Sequence, residues 1–342
     1  MKIPRKERFN LYNVKSFAAT GNGTATDASA IRNAYDAAAA AGGGIVFIPA
    51  GTYLIDRATG LAWGTGAIEL VGAGSGSILK AGTNARSQVI NITIDNGFGR
   101  FADFVVDAAS NAAHAIVQAI ATETSVGTVF ERVIAKGATG FQWVNTGCED
   151  CTYISCETPG DEAVTGTVAE AFTLQVPLGA VTMIGNRFFG QMNVNAQLLT
   201  IAGGVAGPIH FTAGAANQNL VLDGVYVYDG GKNNLQAIST AGDLSSITAT
   251  GCTFISQSQG VCINGNIAAG AVIALRSCQW VESNLSTPYV LLKASGAGSF
   301  LLTGGYVNRH GIACKAFTKV GTPTTIFVHP VVTYGVTTPA TG

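Results

Sequence analysis

Four residues recur at almost even intervals in the second half of the chain: Asp229, Ser256, Glu282 and Arg309, spaced 27, 26 and 27. Two carboxylates flanking a sugar bond can act as general acid and general base, and an arginine beside them can pair with a carboxylate. If each interval is one turn of a stacked structure rising about 4.8 Å, Asp229 and Glu282 lie roughly 10 Å apart. That is close to the ~6.5–9.5 Å separation used by inverting glycosidases. Asp229, Glu282 and Arg309 are therefore the candidate catalytic set. The plainer reading makes them solvated charges at strand ends, with a modest surface ion pair.

Two further groups carry chemistry by type and spacing. Asp103 and Glu131 are 28 residues apart, one plausible turn, and would be neighbours in the same arrangement. Arg187, Tyr226, Thr253, Gln279 and Tyr306 form an outward column that mixes aromatic and polar groups. Arg187, Tyr226, Gln279 and Tyr306 are the candidate glycan contacts, because rings stack on sugars and amides bond their hydroxyls. The same residue types also suit a subunit interface. Cys148, Cys151 and Cys156 in CEDCTYISC have a C-x2-C spacing seen in zinc sites, but no fourth ligand stands out. No metal and no other cofactor is expected.

These columns exist only if something repeats. Five segments align without gaps: VTMIGNRFF from Val181, LVLDGVYVY from Leu220, ITATGCTFI from Ile247, IALRSCQWV from Ile273 and FLLTGGYVN from Phe300. Each holds alternating apolar residues, a bend of small residues, then another apolar pair, as stacked strands around a continuous core require. The bend column reads Asn186, Val225, Cys252, Cys278, Gly305, and Cys151 is assigned to it as well. Cysteines there serve as small core fillers. With seven cysteines, an odd number, and no export signal, free thiols are expected.

Residues 40–55, AAGGGIVFIPAGTYLI, pose the question of a phosphate loop. Such a loop needs glycines ahead of a helix N-terminus, usually with a lysine. Here they follow a helix: TDASAIRNAYDAAAAA places Ile31, Ala34, Tyr35, Ala38 and Ala41 on one face, with Thr26 or Asp27 as N-cap and Gly42 as stop. The phosphate reading fails. The run from Asn13 to Ile55 resembles the opening segment of the pectate-lyase-like superfamily. Phe17, Gly21, Gly23, Asp27, Ile31, Gly42 to Gly44, Pro49, Gly51 and Tyr53 carry the match, whereas Asn22 and Thr26 depart from it. The resemblance implies an all-β fold: a right-handed single-stranded parallel β-helix with an N-terminal capping α-helix.

The signatures of that superfamily's enzymes are missing. There is no Asp-Asp, no Gly-His-Gly and no acidic cluster for calcium. Apolar residues make up 47% and charged residues 11%, which points to a hidden exterior, and the net charge of −1 argues against nucleic acid. No apolar stretch is long enough to span a bilayer, and the basic N-terminus lacks a secretory h-region. The expected organisation is a basic arm at 1–12, a cap and first coil at 13–60, the β-helix at 61–320 and a tail at 321–342 that has lost the repeat.

A low-charge β-helix with a short basic arm also resembles bacteriophage tailspikes. The resemblance implies a homotrimer in the virion, made in the host cytoplasm. It would be held to other tail or capsid proteins by the arm and would bind host surface polysaccharide. A depolymerase of host capsule or lipopolysaccharide, hydrolase or lyase, is the alternative. A structural or decoration protein with no ligand is the third reading.

Overall fold

Period-2 burial governs almost every strand. In Gly44–Ile48 and Ile68–Gly72 alternate residues are buried, because successive side chains in a strand point to opposite faces. The computed structural model describes residues 10–64, 67–83, 86–93, 99–119, 125–159, 170–212, 218–228, 237–240, 244–256, 261–282, 289–296, 299–308, 314–320, 325–328 and 332–334. Among them α1, Ala28–Ala40, is the one α-helix; a short 3-10 turn, Val14–Phe17, precedes it. All strand pairing with a defined register is parallel, and the fold is a parallel β-helix. The chain divides into two compact units, residues 1–143 and 144–342.

In the first unit the strands stack into three sheets, with α1 standing in place of the third strand in the first coil. Sheet A stacks Leu11–Asn13, Gly44–Ile48, Ile68–Gly72, Arg100–Ala102 and Val129–Glu131. Sheet B stacks Asn22–Thr26, Gly51–Ile55, Ser77–Ala81, Val105–Asp107 and Ile134–Lys136. Sheet C stacks Leu61–Trp63, Arg86–Ile92 and Ala112–Ala119. Because rungs are in register, like positions line up inside: Val46, Leu70, Phe101 and Phe130 are consecutive and fully buried. Phe101 stacks on Phe130 at 5.1 Å, and Phe130 meets the Trp143 ring edge-on at 5.0 Å. Each such side chain contributes on the order of 1.5–3 kcal/mol by leaving water.

α1 buries Ile31, Ala34, Tyr35 and Ala38 against the 3-10 turn and the first strands, as its spacing predicts, whereas Ala41, expected on the same face, is the exposed C-cap beyond the last helical turn. Gly42 follows with φ +82°, the left-handed conformation that ends helices. Asp27 sits at the N-cap, yet its side chain makes no cap bond. Its carboxylate instead accepts from Thr20 N (2.6 Å), Thr20 Oγ1 (3.1 Å) and Gly21 N (3.2 Å), closing the loop ahead of the helix. Three convergent donors hold that buried carboxylate better than one cap bond would. The strand Leu11–Asn13 pairs with Ile45–Phe47, so the first coil begins two residues ahead of the boundary placed at 13.

The second unit repeats the scheme. Its A column runs Tyr153, Met183, Ile201, Leu222, Ala249, Leu275, Leu302 and Val328. Two expectations change here. The 39-residue interval between Val181 and Leu220 holds two short turns, because Leu199 pairs with both. The tail also keeps the repeat: Thr325–Val328 and Val332–Tyr334 pair with Ser299–Leu302 and Tyr306–Asn308. Its Thr/Val/Pro composition hides the repeat from a reading of the sequence.

Candidate functional site

The bend between sheets A and B determines which side chains reach the outside. At these bends one or two residues take positive φ, which reverses the alternation and turns the side chain that follows inward: Asp103 and Arg132 in the first unit, Ser155, Gly185, Gly203 with Gly204, Gly224, Gly251, Ser277 and Gly304 with Gly305 in the second. The inward column that follows holds Cys156, Asn186, Val225, Cys252 and Cys278, all buried. Cys151 is not in it. Cys151 pairs with Val181 on sheet A, so the echo between DCTYIS and GCTFIS is out of register, and Cys156 takes the place assigned to Cys151. Asn186 fits because its side chain is used twice: Oδ1 accepts from Cys156 N (2.7 Å) and Nδ2 donates to Tyr153 O (2.9 Å). Cys151 is disulfide-bonded, against the expectation of free thiols, whereas Cys156, Cys252 and Cys278 form no disulfide. Compartment arguments cannot register which thiols a fold brings together.

Glu69, Asp103 and Glu131 of the first unit are bound to arginines. Asp103 and Glu131 are neighbours, as their spacing predicts, with Asp103 N donating to Glu131 O at 3.0 Å. Arg132 grips Asp103 through Nε (2.6 Å) and Nη2 (2.8 Å) and also pairs with Glu131. Arg100 reaches Glu131 (2.7 Å) on one side and Glu69 (3.1 Å) on the other. Hydrogen bonds from Arg100 and Arg132 hold the Glu131 carboxyl below the usual range, so it is ionised and unsuited to donate a proton. Neither Arg100 nor Arg132 stood out in the sequence. Their intervals of 31, 31 and 29 residues to Glu69, Glu131 and Asp103, one turn with opposite charge, were the available signal.

The expected catalytic column is only partly within view. Ser256 and Glu282 are register partners on sheet B of the second unit. Asp229 and Arg309 lie outside the described residues. The expected glycan column stacks as Arg187, Val205, Tyr226, Thr253, Gln279 and Tyr306. Val205 is the added rung, contributed by the short turns. Arg187 is engaged within the chain, 3.7 Å from Glu157 and with its guanidinium 5.5 Å from the Phe189 ring centre. Tyr226 is 42% exposed, and Gln279 is exposed too.

A longer polar array runs up sheet C of the second unit and was not read from the sequence. Thr173, Asn193, His210, Ser239, Asn264, Lys293 and Thr318 occupy seven successive rungs in register. Around the middle rungs, Met192, Val194, Ile209, Phe211 and Ile238 are buried, so Asn193, His210 and Ser239 face outward and are half-buried. Asn193 Oδ1 accepts from Gln191 Nε2 at 2.6 Å, and His210 Nδ1 lies 2.8 Å from Ser239 Oγ. The intervals between rungs are 20, 17, 29, 25, 29 and 25 residues, so no fixed period announces the array. Among the described residues no group of three or more His, Cys, Asp and Glu gathers to hold a metal. No described helix is long and apolar enough to cross a membrane.

With this geometry in place, comparison with known proteins is informative. The model of a family described as rhamnogalacturonase A/epimerase, pectate lyase-like, matches residues 11–262. Mannuronan C5-epimerase AlgE1 of Azotobacter vinelandii is 36% identical over 92 residues, 26% of this chain and 7% of that protein. The chain thus spans a small part of the curated relatives it matches. The A-module of A. vinelandii mannuronan C-5 epimerase AlgE4 has a similar fold, with TM-score 0.61 and 16% identity over 97% of this chain and 100% of the module. The N-terminal fragment of bacteriophage Phi29 gene product 12 is similar too, with TM-score 0.59 and 12% identity over 94% of this chain and 65% of that fragment.

Proposed function

The chain belongs to the rhamnogalacturonase A/epimerase, pectate lyase-like family, and from that premise we propose that it binds polysaccharide along the outside of its β-helix, as a tailspike-like component of a virion. The observation that carries the reading is the in-register polar array of sheet C, in which Asn193, His210 and Ser239 face outward on successive rungs. Rungs recur about every 4.8 Å, close to the length of one extended sugar residue. A glycan running across the strands would therefore meet the Asn193 amide, the His210 imidazole and the Ser239 hydroxyl on successive units. Neutral groups bond hydroxyls without the desolvation cost that an unpaired buried charge carries. The likeness in fold to a phage gene product supports the virion setting. Assembly as a homotrimer, attachment to tail or capsid proteins through residues 1–12 and recognition of host capsule or lipopolysaccharide complete the proposal.

The test is a titration of purified protein with host capsule, lipopolysaccharide and polymannuronate. Replacing Asn193 and His210 together by Ala removes two hydrogen-bonding groups at about 0.5–1.5 kcal/mol each, so affinity should fall roughly 5- to 150-fold. Unchanged affinity in the folded double variant rejects sheet C as the binding face.

A catalytic reading has its own support, the sequence similarity to mannuronan C5-epimerase. In it, Asp229, Glu282 and Arg309 process the bound polymer. Glu282→Gln should then abolish chain shortening or epimerisation, followed by gel filtration and proton NMR, while binding persists. A wild-type protein that binds but changes neither chain length nor uronate configuration rejects it. A protein that neither binds nor converts any of these glycans leaves the structural, ligand-free role.

A further inference from the structure

We infer that Cys252 and Cys278 form a covalent modification site: a reversible disulfide joining two neighbouring coils of the second unit, made by exchange with a small disulfide such as oxidised glutathione. The two residues sit on successive rungs of the inward bend column. Thr253 pairs with Gln279 immediately after them, and Gln279 N donates to Cys252 O at 2.7 Å. A rung separation of about 4.8 Å falls inside the ~4.4–6.8 Å between Cα atoms that disulfides span. Both thiols are free and buried. The Cys278 Sγ lies 3.5 Å from Ala249 O, on the coil that carries Cys252, so it already leans toward that coil. In-register side chains begin slightly farther apart at Cβ than a relaxed disulfide prefers. The bond therefore carries strain, and strained disulfides are the readily reduced ones.

The pair is chemically asymmetric. A hydrogen bond from the Cys278 thiol draws Cys252 down to about 7 and pushes Cys278 up. Cys252 is thus the sulfur that ionises first and attacks. Its thiolate displaces one glutathione thiolate from glutathione disulfide and forms a mixed disulfide. Cys278 then loses its proton, attacks the Cys252 sulfur and expels the second glutathione. The protein gives up two protons and two electrons, and glutathione disulfide becomes two glutathiones. Since both sulfurs are shielded from solvent in the folded chain, the exchange proceeds through a local opening of this bend with the two coils still side by side. Cys156 in the same column is the internal control. The rungs of Asn186, Gly204 and Val225 separate it from Cys252, far beyond disulfide reach.

The experiment refolds the reduced full-length chain in a glutathione redox buffer, blocks free thiols and maps peptides without reduction. A peptide joining Cys252 to Cys278, lighter than the sum of its parts by two hydrogens, is expected, with Cys156 blocked. The oxidised protein should melt a few degrees above the same protein treated with dithiothreitol, and Cys252→Ser should lose both effects. Protein that has regained its β-sheet circular dichroism and its Cys151 bridge, yet shows Cys252 and Cys278 both blocked, overturns the inference. Should refolding be inefficient, the same map of protein made in an oxidising and in a reducing cell compartment decides it. The linked peptide should appear only from the oxidising one, and its absence there overturns the inference as well.

Discussion

The two units solve the same bend in different ways. In the first, Asp103 and Arg132 adopt positive φ and their side chains pair with each other across the rung. In the second, the equivalent positions are glycine or serine, and no charge is spent on the bend. A left-handed non-glycine residue costs about 1–2 kcal/mol, which an exposed ion pair of ~0.2–1 kcal/mol only partly offsets. The charges of the first unit thus knit neighbouring strands and neutralise one another. In the second unit Asn193, His210 and Ser239 place neutral polar groups on three successive outward rungs of sheet C.

The largest test of this contrast concerns the cores. Phe130→Ala removes the ring between Phe101 and Trp143 and should cost about 3–5 kcal/mol in denaturant unfolding, as large aromatic truncations do. A loss below 1 kcal/mol would show that the aromatic column does not anchor the first unit.

Next in size are two glycines of the second unit. Gly251→Ala meets no atom within 4 Å but keeps φ +61°, so it should cost only the left-handed penalty of about 1–2 kcal/mol. Gly204→Ala has the same penalty and a Cβ 2.1 Å from Asn186 O, so its midpoint should drop further. Equal midpoints would show that the bend tolerates backbone shifts.

Smaller again is the acid response of the first unit. The Glu131 pKa is depressed by its arginines. The stability this gives is present above the unfolded carboxylate value and is lost as pH falls through the folded one. Arg132→Gly should leave stability at neutral pH within about 1 kcal/mol, because the lost pairs and the relieved backbone oppose each other. It should also reduce the fall in melting temperature on acidification. A full-sized acid response in that variant would place the sensitivity elsewhere.

The fold was legible in the sequence because stacking imposes one pattern repeatedly. Val181, Leu220, Ile247, Ile273 and Phe300 do share one column, and the Cys252–Cys278 alignment holds. What escaped was register wherever coil length changes. Leu199 and Val205 were overlooked because the coils holding them are short. Cys151 was misplaced because a shared Cys-Thr-aromatic-Ile-Ser string looked like alignment. The sheet C array was invisible for the same reason, since its rungs follow the corners of unequal length. Ion pairs were missed because carboxylates were matched with each other before being matched with Arg100 and Arg132.

Those two short coils have a wider consequence. From Leu199 to Leu220 the chain needs 21 residues, and from Val181 to Leu199 only 18, against 26 or 27 later on, yet every column continues across them. Residues added or removed at a corner leave hydrogen-bonded rows on either side untouched. Evolution can therefore edit one corner at a time, lengthening a single loop beside the sheet C rungs without re-threading the coils above and below it. A new specificity would cost one insertion instead of a new fold.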